Sequence, residues 1–179
     1  MTGVQTCALP IYADHPLPIG EGQTISQPYI VALMLEHLAL KATDRVLDVG
    51  TGSGYVTALL SLLCAEVFSL ERFASLAASA EVTLLGLGYR NVRIKVGDGS
   101  RGWSECAPFD GILVSAATAE VPAPLFAQLV EGGRMIIPVG SATSQELQLI
   151  RNLNGQPEVR VLEGCRFVPL VGGEVQREL

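Results

Sequence analysis

A doubly wound, mostly parallel α/β sheet is the fold class predicted by this 179-residue sequence. Short apolar, β-branched runs alternate with longer segments of helical spacing, the pattern of strand–helix–strand units. One of those runs, Val46–Val49, passes straight into a turn with glycines at positions 50, 52 and 54. A last pair of alternating segments flanks Asn154-Gly155, which adds an antiparallel hairpin at one edge of the sheet.

Each element has its own justification. Tyr12–Pro28 reads as an apolar loop, because Pro16, Pro18, Gly20, Gly22 and Pro28 punctuate it. Tyr29–Leu40 carries apolar residues at helical spacing, and the polar turn Lys41–Asp44 stops it. Strand Val46–Val49 follows, then the glycine turn and a helix over Gly54–Cys64. Val67–Leu70 is a second strand closing on Glu71, and the Ala/Leu-rich Ala74–Leu87 is helical. Val92–Val96 alternates as a third strand and enters Gly97-Asp98-Gly99. Phe109–Ser115 is a fourth strand, Ala123–Val130 a helix, and Arg134–Val139 a fifth strand between glycines. Glu146–Arg151 and Glu158–Glu163 form the hairpin, which Phe167–Leu170 ends or extends.

Composition narrows the function classes. Hydrophobic residues make up 49% and charged residues 17%, which describes a globular chain with enough apolar surface for one core. The net charge of −6, without a Lys/Arg cluster, disfavours a nucleic-acid partner, which needs a basic face. No apolar run is long enough for a membrane span. Cys7, Cys64, Cys106 and Cys165 are scattered without a C-x-x-C pair, so no metal site or disulfide framework is suggested and a cytoplasmic location is expected. Met1–Ile11 has no amphipathic period and resembles an in-frame translation of a sequencing adapter. It is expected to be a non-native leader, leaving 12–179 as a single domain.

The glycine turn is the main chemical signal. Gly50, Thr51, Gly52, Ser53 and Gly54 join a strand to a helix, where the missing Cβ atoms let a ligand approach the backbone. G-x-G-x-G is neither the dinucleotide fingerprint nor a phosphate loop, and no lysine follows to meet a phosphate. The spacing points instead to S-adenosyl-L-methionine. Glu71, at the next strand end, is placed to accept from both ribose hydroxyls, against the plainer reading of a solvent-facing acid. Asp98 and Gly99 sit at the third strand end, where adenine recognition competes with a turn-forming role. Asp48, inside the first strand, needs a partner if buried, and either orients the glycine turn or bonds the cofactor's amino group. Gln23, Thr24, Ile25 and Ser26 precede a helix, and on local pattern alone Ser26 reads as its N-cap, with Pro28 in the first turn.

G-E-G-Q-T-I-S-Q-P-Y, V-L-D-V-G-T-G-S-G-Y, G-D-G and R-F-V-P-L occur here in that order. Together they resemble the protein-L-isoaspartate (D-aspartate) O-methyltransferase family, from about Leu17 to the C-terminus. T-I-S-Q-P is specific to that family, whereas the glycine turn is shared by most class I methyltransferases. The resemblance implies a Rossmann-like class I methyltransferase fold that takes its methyl group from S-adenosylmethionine. The acceptor would be the α-carboxylate of isoaspartyl residues in damaged proteins and peptides, with no nucleic-acid or membrane partner and a monomeric enzyme. It makes Ser26 the active-site hydroxyl and places Gln23–Ser26 along the cofactor and substrate cleft. It assigns Glu71, with Arg72 beside it, to the ribose side, and Asp98 with Gly99 to the adenine. Pro138-Val139-Gly140 and Arg166–Leu170 match later family motifs, and Gln176 touches the cofactor in some members.

Family members carry a helical segment before the T-I-S-Q-P loop, so the chain is expected to be N-terminally truncated. A methyltransferase-fold domain that binds cofactor without efficient catalysis is the alternative that this raises. Methylation of nucleic-acid bases uses an N-P-P-[YF]-type segment where this chain has Ser115-Ala116-Ala117-Thr118. A nicotinamide oxidoreductase fits neither the glycine spacing nor the Gly97-Asp98-Gly99 turn.

Overall fold

The computed structural model describes residues 14–172. The leader assigned to residues 1–11, Cys7 within it, and Gln176 lie outside the described residues. In chain order the elements are β1 (Leu17–Gly20), β2 (Gln23–Ile25), α1 (Pro28–Leu38), β3 (Arg45–Val49), α2 (Tyr55–Leu63), β4 (Glu66–Glu71) and α3 (Ala74–Gly86). They continue with β5 (Val92–Val96), β6 (Phe109–Val114), α4 (Ala123–Phe126), β7 (Leu129–Gly140), β8 (Gln145–Leu153) and β9 (Gln156–Cys165).

The main sheet has the strand order β5-β4-β3-β6-β7-β8-β9. β3 through β7 pair in parallel, and β8 and β9 add the antiparallel edge that the sequence predicted. The chain runs outward from β3 to β5 and then returns to β6 on the other side of β3. That reversal opens a crevice at the carboxyl ends of β3 and β6, where α/β sheets bind ligands. The two ends meet directly, with Ser115 N–H donating to the Val49 carbonyl at 2.8 Å.

Both faces of the central strands β3, β4 and β6 are buried, which is why they read as continuous apolar runs, whereas the edge strand β5 alternates. On one face Val46, Val67, Leu113 and Ile136 pack under α1 and α2. On the other, Leu47, Phe68, Ile112 and Met135 pack with Leu125 of α4. Phe68 meets Trp103 edge-on at 5.8 Å, and the Arg45 guanidinium lies over its ring at 5.0 Å.

Several boundaries differ from the sequence expectation. The segment expected as a loop holds the β1–β2 hairpin, which pairs antiparallel across a Glu21-Gly22 turn with Glu21 at φ 51°. α1 stops before Ala39, which takes a left-handed φ of 48°. The helix expected over Ala123–Val130 is a single turn, because Leu129 and Val130 are drawn into β7 beside β6. Tertiary pairing here overrides a weak local preference. Phe167–Leu170 forms only an isolated bridge, Pro169 against Ala117.

Ser26 does not cap α1. The cap position is Gln27, whose own side chain makes no capping bond. Asp14 does the work from upstream: its carboxylate accepts from the Tyr29 N–H at 2.8 Å and from Gln27 Nε2 at 2.8 Å. Asp14→Ala is therefore expected to cost about 1 kcal/mol of stability, as loss of a capping carboxylate does. Urea unfolding of the pair checks this, and coincident curves would remove the cap from the account.

Candidate functional site

The glycine turn is held by the neighbouring strand end. Gly50 and Thr51 donate backbone N–H bonds to the Leu70 carbonyl at 2.8 and 3.3 Å. Gly50, Gly52 and Gly54 have φ values of 104°, 54° and 85°, a region that side chains rarely tolerate. Glu71 completes the clamp, accepting from the Gly52 N–H at 2.8 Å and the Phe73 N–H at 3.0 Å. It is buried, not the solvent-facing acid of the plainer reading. Its oxygens retain lone pairs for a ligand, since a carboxylate has about four acceptor positions.

Beneath the turn lies a buried polar chain. Asp48 is fully buried and pairs in register with Ser69 on β4. Asp48 Oδ2 accepts from Thr57 Oγ1 at 2.6 Å and from Ser69 Oγ at 2.9 Å, and Ser69 Oγ contacts Thr51 Oγ1 at 2.6 Å. The second oxygen, Oδ1, is buried with no hydrogen-bond partner among the described residues. Burial pushes the Asp48 carboxyl up to about 6; bonds from Thr57 and Ser69 oppose that rise, and the nearby Glu71 adds to it. The chemistry is that of a buried acceptor waiting for a donor.

Above the turn, a cleft of about 220 Å³ is lined by Ile19, Gln23, Thr24, Gly50, Gly52, Glu71, Arg72, Gly99 and residues 168–171. A side chain at position 99 would put its Cβ 2.5 Å from Val49 Cγ1, so anything larger than glycine on that wall forces the buried Val49 to shift. Arg72 donates to the Val171 carbonyl at 2.7 Å and ties the C-terminal segment across the cleft. Beside it is a small recess of about 30 Å³ lined by Ile25, Ser26, Thr51, Ser53 and Tyr55. Ile19, Thr24, Gly50, Gly52 and Ser115 border both spaces. Gly54 serves instead as the cap position of α2, packed against α3.

The structure thus brings Gln23, Thr24, Gly50, Gly52, Glu71, Arg72 and Gly99 to one cleft, and Ile25, Ser26, Thr51 and Ser53 to the adjoining recess. Asp98 is not among the lining residues. Its carboxylate accepts from the Ser100 N–H at 2.9 Å and Ser100 Oγ at 2.6 Å, and it caps a short 3₁₀ turn. Sequence reasoning missed Ser69, Thr57, Ser115 and Ile19. A serine inside the apolar strand V-F-S-L-E was the readable signal for the first of these.

The fit to a nucleoside-type methyl donor follows from the cradle itself. The backbone approaches closely at Gly50 and Gly52, an anchored carboxylate lines the wall, and an orphaned carboxylate oxygen lies below the turn. The Asp48 acid also leaves a mark on stability. Its folded value lies above the ordinary 3.8, so its contribution is full below that value and is lost as pH rises through about 6. Relative to Asp48→Asn, the native chain is expected to lose on the order of 3 kcal/mol between pH 4 and 7. Urea unfolding across that range measures it, and parallel pH profiles would contradict it.

Comparison with known proteins agrees with this geometry. The family described as Protein-L-isoaspartate(D-aspartate) O-methyltransferase (PCMT) matches residues 5–175. A protein-L-isoaspartate O-methyltransferase of Koribacter versatilis is 56% identical over 163 residues, covering 91% of this chain and 73% of that protein. A solved protein-L-isoaspartate O-methyltransferase superposes with a TM-score of 0.83 at 32% identity, over 92% of this chain and 54% of that one. A Plasmodium falciparum structure described as a beta-aspartate methyltransferase (PCMT), in complex with S-adenosyl-L-homocysteine, gives a TM-score of 0.78 at 31% identity, over 89% of this chain and 81% of that one. The match over nearly the whole chain, at more than half identity to such a relative, settles the family: the chain belongs to the protein-L-isoaspartate(D-aspartate) O-methyltransferase family.

Proposed function

We propose that the chain transfers a methyl group from S-adenosyl-L-methionine to the α-carboxylate of L-isoaspartyl and D-aspartyl residues in damaged proteins, acting as a cytoplasmic monomer. The observation that carries this reading is the placement of Ser26. It caps no helix, and it lines a recess that opens beside the glycine-turn cleft. Bound in that cleft, the cofactor supplies an electrophilic methyl group on a sulfonium. Glu71 and Arg72 flank its ribose side, Gly99 forms the far wall, and Asp98 holds the turn that presents Gly99.

The acceptor needs no activation. A carboxylate with a reference pKa near 4 is already ionised at neutral pH, so it attacks without a general base. Neither described histidine lines the cleft or the recess: His37 lies in the last turn of α1, and His15 precedes β1. The work left to the protein is orientation, which can lower a barrier by about 7–11 kcal/mol when reacting atoms are held in line. Ser26 donates a hydrogen bond that aims the carboxylate across the border residues Gly50 and Gly52. The ester then loses methanol when the adjacent backbone nitrogen attacks it, and the succinimide so formed hydrolyses in part to normal aspartate.

Ser26→Ala is expected to keep S-adenosylmethionine binding within about threefold while losing most transfer, since aim rather than affinity is removed. Radiolabelled transfer to an isoaspartyl peptide, with the aspartyl peptide as control, measures it. Full turnover in the variant would overturn the role of Ser26. Cofactor binding without any transfer by the native chain would favour a non-catalytic domain. Asp98→Ala is expected to weaken cofactor binding about tenfold by releasing the wall at Gly99, as loss of a charged capping acceptor does. Calorimetry giving native affinity would count against it.

A further inference from the structure

The C-terminal segment crosses the cleft as a strap with a firm root and a light far end. At the root, Gln145 holds the Phe167 backbone twice, accepting from its N–H at 2.7 Å and donating to its carbonyl at 3.1 Å. Ala117, just past β6, donates to the Val168 carbonyl at 2.8 Å and accepts from the Leu170 N–H at 2.7 Å. Arg72 stands just past β4, and β3 lies between β6 and β4 in the sheet. The strap therefore passes over the end of β3, where the glycine turn begins. Midway, Leu170 and Val49 both crowd Gly99. Past Leu170, among the described residues, one hydrogen bond holds the strap: Arg72 Nη1 donates to the Val171 carbonyl at 2.7 Å, exposed to solvent. Arg72 and Val171 both line the cleft, so this bond closes its rim.

We propose that Arg72 is a positioning residue whose bond to Val171 latches the strap, and that opening this latch gates the exchange of methyl donor and spent product. The inference rests on the cofactor reading above. Closed, the cleft holds about 220 Å³ and the adjoining recess about 30 Å³. Pockets that take ligands of this size run to roughly 300–1,000 Å³, so a wall must yield for a nucleoside-type ligand to enter. The inner walls are pinned: Gly50 and Thr51 by the Leu70 carbonyl, Gly52 by Glu71, Gly99 by the packing of Val49. The β1–β2 wall has its own ladder and a 2.8 Å bond from Ser75 to Glu21. The Arg72–Val171 bond gives way at least cost, because water replaces an exposed hydrogen bond and only one is lost. Opening and closing of such a rim, rather than chemistry, sets the pace of product release in many enzymes.

Association and dissociation rates of S-adenosylmethionine and S-adenosylhomocysteine, followed by surface plasmon resonance on the full chain, test the latch. Arg72→Met keeps the length of the side chain and removes its donors. Association of both compounds with the variant is expected to rise about fivefold, the scale of one exposed hydrogen bond, and dissociation to rise with it. A residue that only touched the bound cofactor would change dissociation and leave association alone. Native association rates for both compounds, whatever dissociation does, would place the opening elsewhere on the rim and overturn the proposal. S-adenosylmethionine carries one more positive charge than S-adenosylhomocysteine, so loss of a repelling arginine would speed the first compound only. A rise confined to S-adenosylmethionine would therefore overturn the latch too. A native chain that binds neither compound overturns the cofactor reading and the latch with it, whereas native binding with unaltered association in the variant strikes the latch only.

Discussion

The cleft depends first on the Glu71 carboxylate. It stands at the end of β4 and accepts one backbone N–H from the glycine turn and one from the start of α3. Bonds to an ionised acceptor are roughly twice as strong as neutral ones, and burial strengthens them further. Without this clamp, a turn with three glycines at positive φ would have wide conformational freedom and a large ordering cost on binding. With it, the strand ends and the turn form one pre-organised surface. Pre-organisation of this kind spares the binding energy that would otherwise go into ordering the protein.

Asp48 shows the opposite trade. A fully buried carboxyl with one oxygen unpartnered weakens the fold at neutral pH, and an apolar residue in β3 would not carry that penalty. Its place is intelligible through the turn: Thr57 and Ser69 donate to it, and Ser69 in turn contacts Thr51 of the glycine turn. The penalty lies directly beneath the glycine turn, and the surrounding apolar faces of the sheet offset it.

Much of this architecture was readable from residues alone. The central parallel strands announced themselves as apolar runs because both their faces are covered, and the glycine turn and Glu71 were legible from spacing. What was not legible depended on pairing across the chain. The β1–β2 hairpin hid in a segment rich in Pro and Gly, which local rules assign to loops. α4 shrank because Leu129 and Val130 had a strand partner in β6 that no local window contains. Ser26 looked like a cap because the true capping group, Asp14, approaches from outside the motif. Ser69 needed the register of β3 against β4 before its serine acquired a meaning.

That register deserves a last consequence. Asp48 lies opposite Ser69, and Val49 opposite Leu70, whose carbonyl pins the glycine turn. Side chains alternate faces along a strand, so a shift of one residue would turn Ser69 away from Asp48 and carry Glu71 out of reach of Gly52. By apolar burial alone a misregistered β4 would pass as nearly native, since Val67, Phe68 and Leu70 are all apolar and buried. In this chain the hydrogen-bonding residues of the site act as the alignment marks of the sheet, so folding correctly and becoming competent to bind are the same event.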